Sequence, residues 1–435
     1  MPHNRLVNIG DRLDRSLFVR FTNKMTAAGA QRSLPPQTVG AEPETTVRGS
    51  GFADRNTQGF ASGRALRPSA KVLPEHARNH NRSLVLQTLY RAGQQSRADI
   101  ARSTGLTRVT ISDLVGEFIA EGLIIETGQR EDARPGKPAT LLDIDRAAFQ
   151  IVGIDLSDYA QFRGAVLDLD GTILDRADVP LAGSVGAEAT AKVIELAEQL
   201  IGLTTAPILG MGVGSPGVVD LGGTVLSAPN LGWENEPLQN ELAARFRVPV
   251  VVANDANAAV LAEHSFGGAD RDMMLIKVGH GVGAGLLLGG TPLFGSRFAA
   301  GEIGHVVVGT EGGLPCVCGK NGCLETWLAT PRLAAALEAA MASGTPPEQI
   351  LEDAGRHLGI ALAAVVGALN LAEIVLSGPT QLLDGPLASA TIETLRNRTM
   401  AKFHGDLTLR MTKLGEDIVI RGAAVMVLSE QLGVS

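Results

Sequence analysis

The chain has 435 residues, of which 45% are hydrophobic, and this length is sufficient for two or three globular domains. It contains no apolar run long enough to span a bilayer and no apolar signal core, which excludes a membrane-spanning protein and predicts a cytoplasmic one. The net charge of −8 is unevenly distributed: residues 1–112 carry 17 basic and 7 acidic side chains, whereas residues 113–435 carry 21 and 39. A basic front part on an acidic body is typical of a protein that contacts nucleic acid with one end only.

Residues 1–77 show no sustained hydrophobic period. They contain Pro35-Pro36, many Gly, Ser and Thr residues and scattered arginines. Such a composition does not supply enough apolar surface to form a packed core. We therefore expect a disordered basic leader over 1–77.

The segment 78–146 has the pattern of a winged helix-turn-helix domain. Apolar residues between positions 85 and 89 lie on one face of a first predicted helix, and Ser96 with Asp99 forms a capping-box variant that begins a second one. Thr107 can cap a third helix. The apolar stripe of that third helix has helical spacing and consists of Ile111, Leu114, Val115 and Phe118.

The start of the third helix and the hairpin that follows carry the candidate DNA contacts. In a helix-turn-helix the N-terminal end of the last helix contacts base edges, and this end is polar here. Predicted strands at 123–127 and 139–144 flank an Arg-Pro-Gly-Lys-Pro loop, whose arginine can enter a narrow minor groove. A solvated hairpin tip is the alternative for the loop, and a protein–protein module is the alternative for the three helices. The candidate DNA contacts are Thr107, Arg108, Thr110, Ser112, Arg134 and Lys137.

Strands and helices alternate from Ile151 onward, which predicts an α/β fold. An Asp170-Gly171 turn between two of the strands favours an antiparallel hairpin. The run Asp168-Leu169-Asp170-Gly171-Thr172 also matches the nucleophile motif of haloacid dehalogenase phosphatases, but that motif needs a parallel strand, so the hairpin is the simpler interpretation. Strands are predicted at 151–156, 162–169, 172–176, 208–213, 250–253, 274–278 and 374–377, and helices at 187–203 and within 331–370.

All three cysteines of the chain fall within eight residues, at Cys316, Cys318 and Cys323, and His305 lies eleven residues before the first of them. Three thiolates and one imidazole form a complete tetrahedral ligand set, which predicts one structural Zn²⁺ ion in a loop spanning 305–323. Three buried cysteines without a metal are the alternative. A disulfide is disfavoured because the count is odd and nothing else indicates an oxidising compartment.

Four motifs together resemble the ROK family of sugar kinases and repressors, over about residues 83 to 430. They are Gly-x-Gly-x-Pro-Gly at 212–217, Asn254-Asp255-Ala256-Asn257, Gly301–His305, and the Cys-x-Cys-Gly-x-x-Gly-Cys-Leu-Glu run at 316–325. The resemblance implies an α/β fold class in which a winged helix-turn-helix precedes a two-lobed actin-like (ribonuclease H-like) sugar-binding domain, here 147–435. The family includes glucokinases without a DNA-binding domain, and repressors of xylose, N-acetylglucosamine and other sugar genes.

The resemblance also implies a set of sugar contacts. Asp255 lies at the position of the general base of the kinases. His305 would bind zinc through one ring nitrogen and offer the other to a sugar hydroxyl, so that the metal holds the ligand-binding loop in place. The implied ligand-binding residues are Asn230, Asn254, Asp255, Glu302, His305 and Glu325.

Two departures from the kinase pattern favour a repressor. Where ROK kinases have Asp-x-Gly-Gly-Thr, this chain has Asp155-Leu156-Ser157-Asp158-Tyr159, which lacks both glycines and adds a negative charge near the phosphate site. Where they have Gly-Thr-Gly, it has Gly279-His280-Gly281. We therefore predict no catalytic residue and no kinase activity.

The predicted function is that of a sugar-responsive transcriptional repressor of carbohydrate genes. Its expected partners are palindromic operator DNA, a monosaccharide or sugar-derivative effector, and a second copy of the chain in a homodimer or a dimer of dimers. No membrane partner is expected. The alternatives are a bifunctional sugar kinase with a regulatory DNA-binding domain, and a transcriptional activator of the same build.

Overall fold

The structure is a computed structural model that describes residues 74–129, 139–309, 312–400 and 407–434. Most of the predicted leader lies outside these residues, as do Arg134 and Lys137 of the predicted wing loop. Among the described helices, none combines the length and the apolar character that crossing a membrane requires.

The N-terminal part of the described chain, residues 74–144, is a small α/β unit that we call the winged-helix region. Its three strands form one antiparallel sheet in the order β1-β3-β2. The first helix begins at Pro74, four residues before the predicted start, because a proline fits a first helical turn and the apolar stripe that signals the helix comes only later. The elements are α1 (Pro74–Ala92), β1 (Gln95–Ser96), α2 (Arg97–Thr104), α3 (Arg108–Ala120), β2 (Ile124–Gln129) and β3 (Thr140–Ile144).

Local hydrogen bonds begin α2 and α3 as the sequence predicts. The Asp99 backbone N–H donates to the Ser96 hydroxyl over 3.3 Å, and the Ser96 N–H donates to the Asp99 carboxylate over 3.2 Å, which completes the capping box. The Thr107 hydroxyl accepts from the Thr110 N–H at the start of α3. All four residues of the predicted apolar stripe are buried: Ile111, Leu114, Val115 and Phe118.

A first five-stranded sheet follows, in the order β11-β7-β4-β5-β6. Strands β11, β7 and β4 are parallel, whereas β5 and β6 form an antiparallel hairpin whose turn contains Asp168 and Asp170. The haloacid dehalogenase interpretation is therefore wrong, because β5 pairs only antiparallel. The strands are β4 (Gln150–Asp155), β5 (Gln161–Leu167), β6 (Ile173–Pro180), β7 (Ile208–Ser215) and β11 (Val250–Asn254).

Two helices and a small sheet accompany the first sheet. The three short strands pair antiparallel in the order β10-β9-β8. Apolar side chains of these elements share a core with the sheet. The elements are α4 (Ala187–Leu203), α5 (Leu238–Phe246), β8 (Val218–Val219), β9 (Val225–Ala228) and β10 (Trp233–Glu236).

A second five-stranded sheet has the order β14-β13-β12-β15-β16 and the same plan as the first. Strands β12, β15 and β16 are parallel, and β12 continues into the antiparallel strand β13. The turn after β4 and the turn after β12 therefore occupy equivalent places in the two sheets. The strands are β12 (Met273–Val278), β13 (Val282–Leu288), β14 (Thr291–Pro292), β15 (Glu373–Ser377) and β16 (Thr408–Met411).

Helices complete the second sheet. Leucine-rich faces of the longer ones pack on it and form its core. The helices are α7 (Glu325–Leu328), α8 (Thr330–Ser343), α9 (Pro347–Leu369), α10 (Thr380–Leu383) and α11 (Pro386–Arg398).

Two further helices, α6 (Asp255–Phe266) and α12 (Ile418–Leu432), share a core with strands of both sheets. Their backbones approach closely at Gly422, where an added Cβ atom would lie 2.0 Å from the carbonyl oxygen of Ala258. Helix α12 also contributes to the core of the winged-helix region, in which Leu428 packs with Leu89 and Leu167. Helix α12, together with residues of β4 and β5, thus joins the sheet-bearing body to the winged-helix region.

Candidate ligand cleft, metal centre and DNA interface

The four predicted metal ligands are brought together in one cluster. The ligand atoms of His305, Cys316, Cys318 and Cys323 all lie within 4.8 Å of one another. The Cys316 Sγ atom lies 3.5 Å from the His305 Nδ1 atom, and the Cys318 and Cys323 Sγ atoms are 3.6 Å apart. These separations exclude a disulfide bond between Cys318 and Cys323. The cluster could hold a metal ion.

The loop folds back around this cluster at two glycines. Gly319 and Gly322 have φ values of +85° and +74°, a left-handed conformation that glycine adopts without strain. Burial raises the pKa of the Cys316 and Cys323 thiols, whereas the backbone N–H of Lys320 helps to lower the pKa of the Cys318 thiol. Without a cation nearby, the two buried cysteines thus favour the neutral thiol, and a bound metal ion would reverse this preference.

Glu325 connects the cluster to the second sheet. One of its carboxylate oxygens lies 3.8 Å from the Cys316 Sγ atom, and the other accepts a hydrogen bond of 3.2 Å from the Val282 backbone N–H. Val282 begins β13, directly after the turn that contains His280. The position of the cysteine loop and the shape of this turn are therefore linked through one side chain.

Three of the predicted ligand-binding residues form an acidic group beside the cluster. Glu302 has a raised pKa, chiefly because protein atoms displace water around its carboxyl group; His305 opposes this shift, and the charges of Asp255 and Glu325 add to it. Hydrogen bonds and an ion pair hold these acids at one end of the second sheet: Asp255 pairs with Lys277 of β12, Glu325 accepts from Val282 of β13, and Glu302 follows Gly301, whose carbonyl accepts from Ala284 of β13. Such a group of carboxylates and an imidazole can accept hydrogen bonds from several adjacent hydroxyl groups.

Lys277, on strand β12, is an additional member of this group that the sequence analysis did not identify. Its Nζ atom lies 3.1 Å from the Asp255 Oδ2 atom, and both side chains are mostly buried. Burial alone would lower the pKa of Lys277, but the nearby carboxylates of Asp255 and Asp155 raise it overall, so the side chain stays a cation. Because the other Asp255 oxygen accepts from the Ala256 N–H, both oxygens of this carboxylate are engaged.

A second contact between the two sheets is formed by Tyr159 and His280. Tyr159 lies in the turn after β4 and His280 in the turn after β12, and their ring centroids are 4.3 Å apart. Burial raises the pKa of Tyr159, and the charges of Glu325 and Asp255 add to this. Burial lowers the pKa of His280, which keeps its ring neutral at pH 7. The rings therefore close the space between the two turns.

The remaining predicted ligand residues, Asn254 and Asn230, differ in their surroundings. Asn254 caps α6: its Oδ1 atom accepts from the Ala256 and Asn257 N–H groups, and its Nδ2 atom donates to the Gly217 carbonyl. Its side chain therefore orients Asp255 at the first position of the helix. Asn230 lies in a 3₁₀ turn at Pro229–Leu231 and makes no side-chain hydrogen bond to another described residue.

At the start of α3 the described DNA-contact candidates divide into two pairs. Thr107 and Thr110 are hydrogen-bonded to each other and fix the helix start, whereas Arg108 and Ser112 are exposed. Val109, which follows Arg108, is 71% exposed. The sequence pattern did not indicate it, because an apolar residue does not stand out among polar candidates for DNA contacts. A valine at this place can contact a thymine methyl group in a major groove.

Most arginines of the winged-helix region are paired with acids. Arg82 binds Glu117 and Glu121 over 2.9 Å and 2.6 Å, Arg97 binds Glu126, and Arg78 and Arg102 have acid partners as well. Arg108 makes no ion pair with any described residue. Within the described residues, its guanidinium group can therefore contact a DNA phosphate or base.

Two family models match the chain. The model described as the ROK family matches residues 151–430, and the model described as the MarR family matches residues 79–135. The two matched segments correspond to the sheet-bearing body and to most of the winged-helix region.

Individual relatives support this division. A putative xylose repressor of Caldicellulosiruptor sp. (strain Rt8B.4) is 28% identical over 387 residues, covering 81% of this chain and 96% of that protein. A glucokinase of Halalkalibacterium halodurans is 30% identical over 315 residues, covering 64% of this chain and 95% of that protein. A crystal structure of a ROK family transcriptional regulator, a homologue of the E. coli MLC protein, aligns with a TM-score of 0.73 and 25% identity over 82% of this chain and 98% of that one.

Proposed function

Since this chain belongs to the ROK family, we propose that it is a sugar-responsive, DNA-binding transcriptional repressor of carbohydrate genes. The observation that carries the proposal is the extent of the similarity. The match to the xylose repressor covers 81% of this chain, whereas the match to the glucokinase covers 64%. The MarR-type match lies N-terminal to the ROK match, and it corresponds to the winged-helix region that would bind the DNA.

The proposed DNA contacts are Arg108, Ser112 and Val109 on α3, with Thr107 and Thr110 fixing the start of that helix. The predicted wing residues Arg134 and Lys137 would add contacts to the minor groove. A palindromic operator would require a homodimer, or a dimer of dimers, acting in the cytoplasm.

The proposed metal is one structural Zn²⁺ ion. Tetrahedral bonds of about 2.3 Å to sulfur and 2.0 Å to nitrogen correspond to sulfur–sulfur edges of about 3.8 Å and sulfur–nitrogen edges of about 3.5 Å. The 3.6 Å and 3.5 Å separations in the cluster are close to these edges. Bound by His305 and the three cysteines, the ion would hold the loop that presents Glu302, His305 and Glu325 to a ligand.

The proposed sugar site is the acidic group beside the cluster. Asp255, Glu302 and Glu325 would accept hydrogen bonds from sugar hydroxyls, the ring nitrogen of His305 that does not bind the metal would donate to a hydroxyl oxygen, and Asn254 would orient Asp255. Asn230 is a weaker member, because no contact connects it to the others.

Helices α6 and α12 provide a physical route from the sugar site to the DNA-binding region. Asp255 is the first residue of α6, α6 packs on α12 at Gly422, and α12 shares a core with Leu89 of α1. A sugar that binds one arrangement of the two sheets better than another would shift the population of that arrangement. The winged-helix region would move with α12 and change its affinity for the operator.

The repressor proposal includes loss of kinase activity. A general base must be free to take a proton from the attacking hydroxyl, and Asp255 is engaged by Lys277 and by the Ala256 N–H. The retained aspartate and the glucokinase relative favour the second candidate, a bifunctional sugar kinase with a regulatory DNA-binding region.

One experiment separates the two candidates. DNA sequences that bind the purified full chain would be selected from a random library, and their affinity measured by fluorescence anisotropy with and without a panel of monosaccharides. We expect an inverted-repeat sequence whose binding is weakened by one sugar, and no turnover when that sugar is tested with ATP in a coupled assay. Sugar-dependent ATP turnover at ordinary kinase rates of roughly 1 to 100 s⁻¹ would establish the second candidate instead.

A further inference from the structure

Resting on the proposed function, we propose that the cleft accepts an uncharged monosaccharide and excludes the phosphate esters of that sugar. The proposal concerns the two turns that face each other across the cleft, 156–160 after β4 and 279–281 after β12. Three features of these turns and their neighbours support it: their amides, their charges and the space between them.

Four backbone amides in or next to these turns are engaged by acceptors of the chain itself. In the first turn the Ser157 N–H donates to Asp155 over 2.9 Å, and the Ala160 N–H donates to Asp158 over 2.7 Å. In the second turn the Gly279 N–H donates to the Gly281 carbonyl, and the Val282 N–H donates to Glu325. A phosphate site needs several converging free N–H groups, and these four are not available.

A helix N-terminus is another common phosphate site, but the N–H groups at the N-terminus of α6 are also engaged by the chain itself. The Asn254 side chain accepts from the Ala256 and Asn257 N–H groups, and Asp255 places a carboxylate at the first helical position. The favourable end of the helix dipole thus already faces a negative charge.

The charges around the cleft disfavour an anion. Three carboxylates lie at the same end of the second sheet: Asp255 pairs with Lys277 of β12, Glu325 accepts from Val282 of β13, and Glu302 follows Gly301, whose carbonyl accepts from Ala284 of β13. The nearby cations are paired with acids, because Lys277 lies 3.1 Å from Asp255 and Arg163 lies 3.0 Å from Asp155. A phosphate ester carries about −1.5 to −2 charge at pH 7, so it would be repelled where a hydroxyl is accepted.

The space between the turns is filled as well. Tyr159 and His280 meet with ring centroids 4.3 Å apart, which leaves no room for a phosphate group between them. An uncharged sugar needs none of this space if it binds to the acidic group alone.

The test compares matched pairs: glucose with glucose 6-phosphate, N-acetylglucosamine with its 6-phosphate, and xylose with xylose 5-phosphate. Each would be titrated into the metal-loaded full chain by calorimetry, with the shift in Tm as a second readout. We expect one free sugar to bind and its ester to bind at least about tenfold more weakly. An ester that binds as tightly as its free sugar, or more tightly, would overturn the inference and leave the repressor proposal standing. If no member of any pair binds, both are wrong.

A charge variant tests the cause. Glu302→Gln removes one carboxylate from the acidic group with almost no change of shape, so we expect the discrimination between free sugar and ester to decrease about threefold or more. Asp175→Asn, which removes an exposed carboxylate from the edge strand β6, is the matched control and should leave the discrimination unchanged. Equal discrimination in wild type and Glu302→Gln would overturn the electrostatic basis of the inference.

Discussion

At the scale of single residues, ion pairs decide which charges of the winged-helix region can act outside the molecule. Arg82 spans Glu117 and Glu121 and also lies over the Phe118 ring at 4.5 Å, so its positive charge fixes α1 against α3. A net-charge count treats such an arginine as a DNA contact, although its charge is already compensated. Arg108 has no such partner among the described residues.

Arg108→Ala should weaken binding to the selected operator by roughly tenfold to a hundredfold, because one direct base or phosphate contact is worth about 1–3 kcal/mol. Sugar binding, measured by calorimetry, should not change. Arg245→Ala is the control, since that side chain pairs with Glu198 on the body of the protein. Equal operator affinity for Arg108→Ala and wild type would exclude α3 as the DNA-contacting helix.

At the same scale, the surroundings of Asp255 leave room for a ligand. The Lys277 ammonium and the Ala256 N–H each donate to one of its carboxylate oxygens. A further hydroxyl can still approach the remaining lone pairs, and this is sufficient for binding.

At the scale of elements, the cysteine loop has little apolar material of its own to hold it. Val317 is 90% exposed, and Leu314 and Val306 are 52% and 45% exposed. Apart from Val308, which is buried in the core of the second sheet, hydrophobic burial contributes little to the order of this loop. Four ligands converging on one ion would be a sufficient substitute, as in other small metal-organised segments.

Cys318→Ser should therefore lower the metal content from about one ion per chain to well below one, measured by mass spectrometry of the dialysed protein. The sugar-induced rise in Tm should fall with it, because the loop carries Glu302 and His305. The neighbouring exposed residue provides the control: Val317→Ser should retain both the metal and the response. A full sugar response in metal-free Cys318→Ser would show that the metal does not organise the cleft.

The start of α12 is anchored to the first sheet by an ion pair. Arg176 of β6 binds both oxygens of Asp417 over 2.7 Å and 2.8 Å, just before α12 begins. The Arg176 hydrogen bonds hold the pKa of Asp417 below the ordinary aspartate value of 3.8. A carboxyl group with a lowered pKa in the folded state adds stability above its unfolded pKa and loses it as the pH falls.

Arg176→Met should therefore lower the free energy of unfolding by up to about 1 kcal/mol at pH 7, since the pair is partly exposed. The difference from wild type should be constant above about pH 5 and should disappear as the pH falls below about 4. Urea unfolding at a series of pH values measures it. Arg245→Met, which breaks a more exposed pair, should cost less. A difference that persists unchanged at pH 3 would show that the guanidinium acts through packing rather than charge.

At the scale of the whole molecule, α12 is shared by both sheets and the winged-helix region. Its residues lie in the core with α6 and both sheets, and in the core with the winged-helix region. Tyr90 reinforces this connection, since its hydroxyl donates to the Leu169 carbonyl over 2.8 Å. The DNA-binding region is therefore packed on the body and is not suspended on a linker.

Gly422→Ala tests this packing. Alanine favours a helix by about 1 kcal/mol over glycine. Against this, the new Cβ atom would lie 2.0 Å from the Ala258 carbonyl oxygen, which belongs to the backbone and cannot rotate away. Overpacking of this kind costs about 1–3 kcal/mol or more, so we expect net destabilisation in chemical unfolding. Gly367→Ala, in α9 with no atom within 4 Å of the new Cβ, should be neutral or stabilising.

The sequence predicted those features that depend on local chemistry. The capping box, the stripe of α3 and the strands follow from neighbouring residues, and the metal cluster follows from four unusual ligands close together in the chain. Contacts between distant turns were not predictable in this way. The Lys277–Asp255 pair and the Tyr159–His280 contact each join residues from different sheets, so no spacing in the chain signals them.

The position of α12 also has a consequence for how the protein is made. Residues 74–129 leave the ribosome long before residues 418–432, by roughly 15 to 60 s at 5–20 residues per second. During that interval the winged-helix region lacks the side chains of α12 that complete its core. A nascent or truncated chain would therefore present an unfinished DNA-binding surface, and operator binding would be delayed until the sugar-binding body is also complete. The sugar-binding body and the DNA-binding region would thus complete their folding together, so that a chain able to bind DNA is also able to respond to the sugar.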